Sequence, residues 1–78
     1  MKVYKIYDNG GKTFDRYTVV LPVVNANGLH DCLGLSDNCD SPQGFSQWSE
    51  CTEGKHLGKL TTFWKLPIVV KNHIVGRI

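Results

Sequence analysis

Two turn signals divide the first 35 residues of the chain into three short segments rich in β-branched and aromatic side chains. Both signals, Asp8-Asn9-Gly10-Gly11 and Asn25-Ala26-Asn27-Gly28, contain residues that tolerate the positive φ angles of tight turns. The three segments span residues 2–7, 17–21 and 29–35. Their composition predicts a meander of three antiparallel strands. Pro22, which has no backbone N–H, is expected at a strand end, in a bulge or on an edge.

The last third of the chain predicts a fourth short strand and one helix. Residues 60–63 favour a strand, and Pro67 suits the first turn of a helix, where the missing N–H has no partner to lose. The helix is expected to run from about Pro67 to Gly76 or slightly beyond. Apolar residues at a spacing of four, together with His73, form a stripe expected to face the sheet: Leu66, Val70, Ile74 and Ile78. We therefore predict a single α+β domain over residues 1–78, with a small antiparallel sheet of three to four strands packed by one C-terminal amphipathic helix.

Size, charge and apolar runs narrow the classes of function. A chain of 78 residues buries a modest core and leaves little room for a deep substrate pocket. The nine Lys and Arg residues are scattered and face seven Asp and Glu residues, so nucleic-acid binding is not favoured. The longest apolar stretch, residues 19–24, is too short to span a bilayer or to form a signal-peptide core. We expect a cytoplasmic protein with no membrane partner.

Residues 36–50 are rich in Ser, Asp, Asn, Pro and Gly, which favour turns over a regular ladder. We therefore expect a long loop here. Loops of about fifteen residues inside compact domains are uncommon and often functional, so this segment is the leading candidate for a functional surface. The loop residues expected to contact a protein partner are Pro42, Gln43, Phe45, Gln47 and Trp48. In the alternative interpretation, Phe45 and Trp48 fold back and fill a small core.

The predicted helix carries apolar residues outside the stripe that is expected to face the sheet. Ile68, Val69 and Val75 lie off that stripe, and Trp64 precedes the helix. A helix that is apolar on more than one face is either buried on two sides or part of a subunit interface. We therefore add Trp64, Ile68 and Val69 to the candidate partner-binding residues, and a homodimer through the helix is one form of that interface.

Cysteine and histidine residues between positions 30 and 56 are weak candidates for a metal site: His30, Cys32, Cys39 and Cys51, with His56 nearby. Structural zinc sites place ligands in pairs about two to four residues apart, and only His30 with Cys32 approaches such a pair. No metal or other cofactor is therefore assigned. Because three cysteines cannot all pair within one chain, reduced thiols are the default, and a Cys39–Cys51 disulfide that closes the long loop is the alternative.

Three further kinds of site have less support. A cysteine nucleophile with a histidine base would make the chain a small enzyme, but no residue pattern marks that arrangement. The segment 54–59 is one residue short of a phosphate-binding loop and is followed by Leu60 where Ser or Thr is needed, so we interpret it as a connection with a basic rim. A nucleic-acid surface would combine stacking on Phe45 or Trp48 with phosphate contacts from Lys55, Lys59, Lys65 and Lys71.

Three stretches of the sequence together resemble a family of small uncharacterised proteins from bacteriophage, prophage and metagenomic sequence. They are Ile6-Tyr7-Asp8-Asn9-Gly10-Gly11 with residues 13–20, then Ser41-Pro42-Gln43-Gly44-Phe45-Ser46-Gln47, and His56-Leu57-Gly58-Lys59 leading to Leu66-Pro67. The resemblance covers most of the chain and implies a short accessory protein of a phage or mobile element, acting inside a bacterial cell. It implies no activity, cofactor or catalytic residue. Similar sequences follow their Leu-Pro with acidic residues, whereas Ile68 and Val69 stand there in this chain.

The sequence therefore predicts a non-enzymatic domain that binds a protein partner through residues 36–50 or through the C-terminal helix. Inhibition of a host system is one form that this role would take, given the resemblance to phage proteins. A metal-stabilised or nucleic-acid-binding module is the alternative, and a small cysteine-dependent enzyme is a second alternative.

Overall fold

A computed structural model of the protein describes residues 3–13, 15–36 and 46–77. Within these ranges five strands form one antiparallel sheet: β1 (Lys5–Asp8), β2 (Tyr17–Val24), β3 (His30–Leu35), β4 (Ser46–Cys51) and β5 (Lys59–Thr61). One α-helix, α1 (Ile68–Arg77), follows the sheet in the described chain, and two short 3₁₀ turns cover Lys55–Leu57 and Phe63–Lys65. The predicted α+β class, with a C-terminal helix against an antiparallel sheet, is confirmed.

The strands lie in the order β4-β3-β2-β1-β5. The first four form a meander, and the chain then returns to place β5 beside β1, so β4 and β5 are the edges of the sheet. The predicted count of three to four strands was too low by one, because β4 lies inside the segment predicted as a loop. Trp48 of β4 pairs with Leu33 of β3, and this pairing overrides the weak strand propensity of the polar residues around it. Pro42, Gln43 and Phe45 lie outside the described residues.

The main core fills the space between α1 and one face of the sheet. Its strand residues are Ile6, Tyr17, Val19, Leu33 and Leu35, and its helical residues are Val70 and Ile74, preceded by Leu66. The predicted apolar stripe of the helix therefore faces the sheet as expected, and Ile78 lies outside the described residues. Within the described chain no helix is long and apolar enough to cross a membrane.

Element boundaries differ from the predicted ones for local reasons. The helix begins at Ile68, and Pro67 immediately precedes it, with its carbonyl oxygen accepting the first bond of the helix from the Lys71 N–H at 3.0 Å. Strand β2 continues to Val24, and Pro22 lies where the β2–β3 register shifts between Val20 and Val24. A proline fits this irregular stretch because it has no N–H to give to the ladder.

Candidate functional site

The connection between β4 and β5 crosses the face of the sheet opposite to α1. Leu57 packs there against a second, smaller cluster of buried side chains, Tyr7, Val20 and Cys32. Gly58 then passes so close to β1 that an added Cβ atom would collide with the Asp8 carbonyl oxygen, and its φ of 119° favours glycine. The connection is therefore held tightly against the end of β1.

A cleft of about 830 Å³ opens where this connection meets the end of the sheet. Tyr7 and Leu60, which are opposite each other on β1 and β5, contribute to its lining. Its other walls are the turn that follows β1 and the segment around residues 54–59. Three lysines also line it: Lys12, Lys55 and Lys59. The cleft thus combines an apolar side with several ammonium groups.

The charges that line the cleft do not cancel. Among the described residues that line it, the only carboxylate is that of Asp8, whose oxygens lie 2.9 Å from Nε and 3.3 Å from Nη2 of Arg16. Hydrogen bonding to Arg16 lowers the pKa of Asp8, so the carboxylate is ionised and its charge is balanced by the guanidinium group. Within the described ranges no carboxylate forms an ion pair with Lys12, Lys55 or Lys59. An excess of positive charge is left in the cleft.

The turn beside the cleft is fixed by the side chain of Asn9. Its Oδ1 accepts hydrogen bonds from the N–H groups of Gly11 at 2.8 Å and Lys12 at 3.0 Å, and its Nδ2 donates to the Asp15 carbonyl oxygen at 3.1 Å. Because these bonds occupy the turn amides, the position of the Lys12 backbone is set before any ligand arrives.

A second candidate surface lies on the side of α1 that faces away from the sheet. Ile68 and Val75 are 63% and 62% exposed, and the ring of Trp64 is 80% exposed just before the helix. Lys71 lies one turn from both helical residues, and its ammonium group is 5.9 Å from the centre of the Trp64 ring. We call Trp64, Ile68 and Val75 the outer stripe.

The orientation of Trp64 follows from its neighbour. Phe63 is partly buried against the main core, and its ring meets the Trp64 ring edge to face with 5.3 Å between centroids. Anchoring Phe63 inward turns Trp64 toward solvent in the 3₁₀ turn. Val69, the third helix-region residue expected at an interface, is also exposed. The helix is therefore buried on one side, and its additional apolar residues face solvent.

Charge is divided unevenly along the chain. All seven Asp and Glu residues lie at or before Glu53. The segment after Glu53 has no acidic residue, and its basic residues are Lys55, Lys59, Lys65, Lys71 and Arg77. Both candidate surfaces draw on this basic segment, a feature that the charge balance of the whole chain concealed.

The loop residues predicted to bind a partner are placed only in part. Gln47 and Trp48 lie on the edge strand β4 and are exposed. Trp48 shares the helix-facing side of the sheet with Leu33, and the Arg77 guanidinium lies 5.9 Å from the centre of its ring. Trp48 therefore covers the end of the helix and does not fill the core.

The cysteines differ from both expectations. Cys32 and Cys51 are joined by a disulfide. The prediction of reduced thiols is therefore wrong for these two residues, and so is the alternative prediction of a Cys39–Cys51 disulfide. Cys39 lies outside the described residues. His30 is also engaged, because its Nδ1–H donates to the Leu21 carbonyl oxygen at 2.7 Å and its ring stacks on Tyr4. Within the described chain no three His, Cys, Asp or Glu side chains are grouped to hold a metal ion.

One polar contact had no signal in the sequence. His73 Nε2 lies 2.8 Å from Ser46 Oγ, across 27 positions of chain. Burial, with a smaller effect from the charge of Arg77, lowers the pKa of His73 and favours the neutral imidazole. The contact joins α1 to β4, because His73 lies in the helix and Ser46 is the first residue of the strand.

Comparisons of the chain with models of protein families, with curated proteins and with solved structures found no match. The resemblance to small phage and prophage proteins stays a prediction.

Proposed function

We propose that this chain is a non-enzymatic binding domain that contacts a protein partner through the outer stripe of α1. The exposure of Trp64, Ile68 and Val75 on one side of the helix carries the proposal. Large contiguous apolar patches are rare on monomers and mark interaction sites. Tryptophan is also enriched among the residues that dominate binding energy at protein interfaces.

The charges around the outer stripe define the chemistry of the partner. Lys65 and Lys71 flank the stripe, and α1 has no acidic residue. In a twofold dimer through this face, the same lysines of two copies would approach each other, which is unfavourable. A partner that offers an apolar groove with an acidic rim complements both features, as in the recognition of an amphipathic helix by a groove.

The biological setting follows from the resemblance to small phage and prophage proteins. We propose a host protein of a bacterial cell as the partner and the cytoplasm as the location. Inhibition of that host protein would be the consequence if its groove normally receives another helix.

Nucleic-acid binding is the second candidate, and one observation favours it. Trp64 is exposed beside Lys65 and Lys71 in an acid-free segment, and bases stack on such aromatic rings while lysines contact phosphates. This function would have no use for the apolar side chains of Ile68 and Val75. Nucleic-acid binding would also weaken steeply with added salt, and this salt dependence distinguishes it from binding through an apolar protein interface.

The test is affinity capture from bacterial lysate with matched charged substitutions. Ile68→Asp and Val75→Asp place a charge in the outer stripe, and Val23→Asp places the same charge on β2 at a position that is 65% exposed. We expect one set of captured proteins to be lost with both helix variants and kept with the β2 variant. Equal capture by the wild type and all three variants would reject the outer stripe as the binding surface.

A further inference from the structure

We infer that the cleft beside β1 and β5 binds a small phosphorylated molecule that carries at least two phosphate groups. This site is separate from the outer stripe and shares none of its residues. The inference therefore does not depend on the proposed protein partner.

Charge is the first argument. Lys12, Lys55 and Lys59 converge on one concave surface, and Asp8, the only acid among the lining residues that the structure describes, is already balanced by Arg16. Positive groups that line a concave surface concentrate anions more strongly than the same groups on a convex surface, because low-dielectric walls focus the field. Two or more phosphate groups match three ammonium groups better than a single carboxylate does.

Preorganisation is the second argument. The Asn9 side chain holds the turn that carries Lys12, and close packing at Gly58 fixes the chain between Lys55 and Lys59. The ligand therefore meets walls that are already ordered and loses less free energy in arranging them. The N–H groups of Gly10, Gly11 and Lys12 are occupied by side-chain oxygens, so the lysines, and not a phosphate-binding loop of amides, must supply the contacts.

Shape is the third argument. A volume of about 830 Å³ exceeds what inorganic phosphate needs and lies within the range of sites for small ligands. Leu60 is 63% exposed and faces the cleft next to Tyr7. An apolar ring would cover this leucine while the phosphate groups lie among the lysines. The chemistry common to the candidate ligands is thus a diphosphate group, either free or carried on a nucleoside.

The experiment is isothermal titration of the full chain with pyrophosphate and, separately, with ADP, in low-salt buffer without divalent cations. Lys55→Ala/Lys59→Ala removes two cleft lysines. Lys5→Ala/Arg77→Ala is the matched control, because it removes the same charge outside both the cleft lining and the outer stripe. Lys12→Ala, on the other wall, is a second test that does not alter the β4–β5 connection.

We expect saturable binding of at least one of the two compounds with a Kd below about 1 mM. The double variant Lys55→Ala/Lys59→Ala should weaken this affinity about tenfold or more. Lys12→Ala should also weaken it, and the control pair should change it by less than about threefold. Equal affinity for pyrophosphate and ADP would assign recognition to the phosphates, and tighter binding of ADP would assign part of it to Leu60. Absence of saturable binding, or equal weakening by both pairs, would overturn the inference.

Discussion

Cys32 and Cys51 lie diagonally across the β3–β4 ladder, with their Cα atoms 6.2 Å apart, and a disulfide joins them. The bond fixes the register of an edge strand that has few apolar residues of its own. It closes a loop with a sequence separation of 19, for which chain entropy predicts a stabilisation of about 3 kcal/mol. Cys51→Ser should lower the free energy of unfolding by that amount in a denaturant titration, and reduction of the wild type should do the same.

Peptide mapping without reduction tests the pairing directly. We expect a linked peptide pair that contains Cys32 and Cys51, and Cys39→Ser should leave it intact. A linked pair that contains Cys39 and Cys51 would contradict the strand register.

The proposed cytoplasmic location makes a separate prediction about the same bond. Cytoplasmic thiols are kept reduced, whereas structural disulfides are typical of oxidising compartments. If the protein acts in the cytoplasm, acid quenching of the cells followed by alkylation under denaturing conditions, which exposes the buried Cys32, should recover Cys32 and Cys51 as two modified thiols. A disulfide recovered after alkylation would argue against that location.

Gly58 is expected to be intolerant of substitution. An added methyl group would collide with the Asp8 carbonyl oxygen, and its backbone conformation is unfavourable for other residues. Gly58→Ala should therefore lower the free energy of unfolding by about 2 kcal/mol or more. Gly76→Ala is the matched control, because nothing lies within 4 Å of its added Cβ atom in α1. It should be neutral or stabilising by up to about 1 kcal/mol, and equal losses in both variants would contradict this packing.

The lowered pKa of His73 predicts a pH dependence of stability. Burial and Arg77 lower the pKa of His73 in the folded protein, so below its ordinary value of about 6.5 the unfolded chain binds more protons. Stability should therefore fall as the pH decreases through about 6.5, and this loss should end below the lowered pKa. His73→Gln keeps a side chain that can hydrogen-bond Ser46 but cannot titrate. Denaturant titrations between about pH 7.5 and 5.5 should show a smaller loss for this variant, and identical slopes would count against the assignment.

The helix and the main core could be predicted because their signals are local. Apolar residues at a spacing of four with Pro67 at the start define one face of a helix, and Val70 and Ile74 are buried as that period requires. Strands 17–21 and 29–35 were also predicted close to their observed positions, since turn residues bound them on both sides. Local chemistry was sufficient for these elements.

Strand β4 and the disulfide could not be predicted in the same way. The residues Ser46–Cys51 favour turns when considered alone and become a strand because β3 offers an unpaired edge. The choice of Cys32 over Cys39 as the partner of Cys51 depends on that same register, which no local pattern encodes. Because residues 46–51 were predicted as part of a loop, the pairing of Cys32 with Cys51 was not predicted either.

The candidate surfaces were predictable in different degrees. Trp64 and Ile68 were already marked by apolar character outside the buried stripe, and the structure adds that they face solvent. The cleft was missed because Lys12 and Lys55 are distant in sequence and meet only through the return of the chain beside β1. The acid-free stretch after Glu53 was visible in the sequence, but a charge balance taken over the whole chain does not reveal it.

Photo-crosslinking in bacterial cells reports whether the outer stripe contacts another protein. A photoreactive amino acid is placed at Ile68 in the outer stripe and, as the control, at Val23 on β2, which has nearly the same exposure. The outer stripe predicts a covalent adduct with a different protein from position 68 and none from position 23. No adduct from position 68, or only an adduct of two copies of this chain, would contradict the proposed partner.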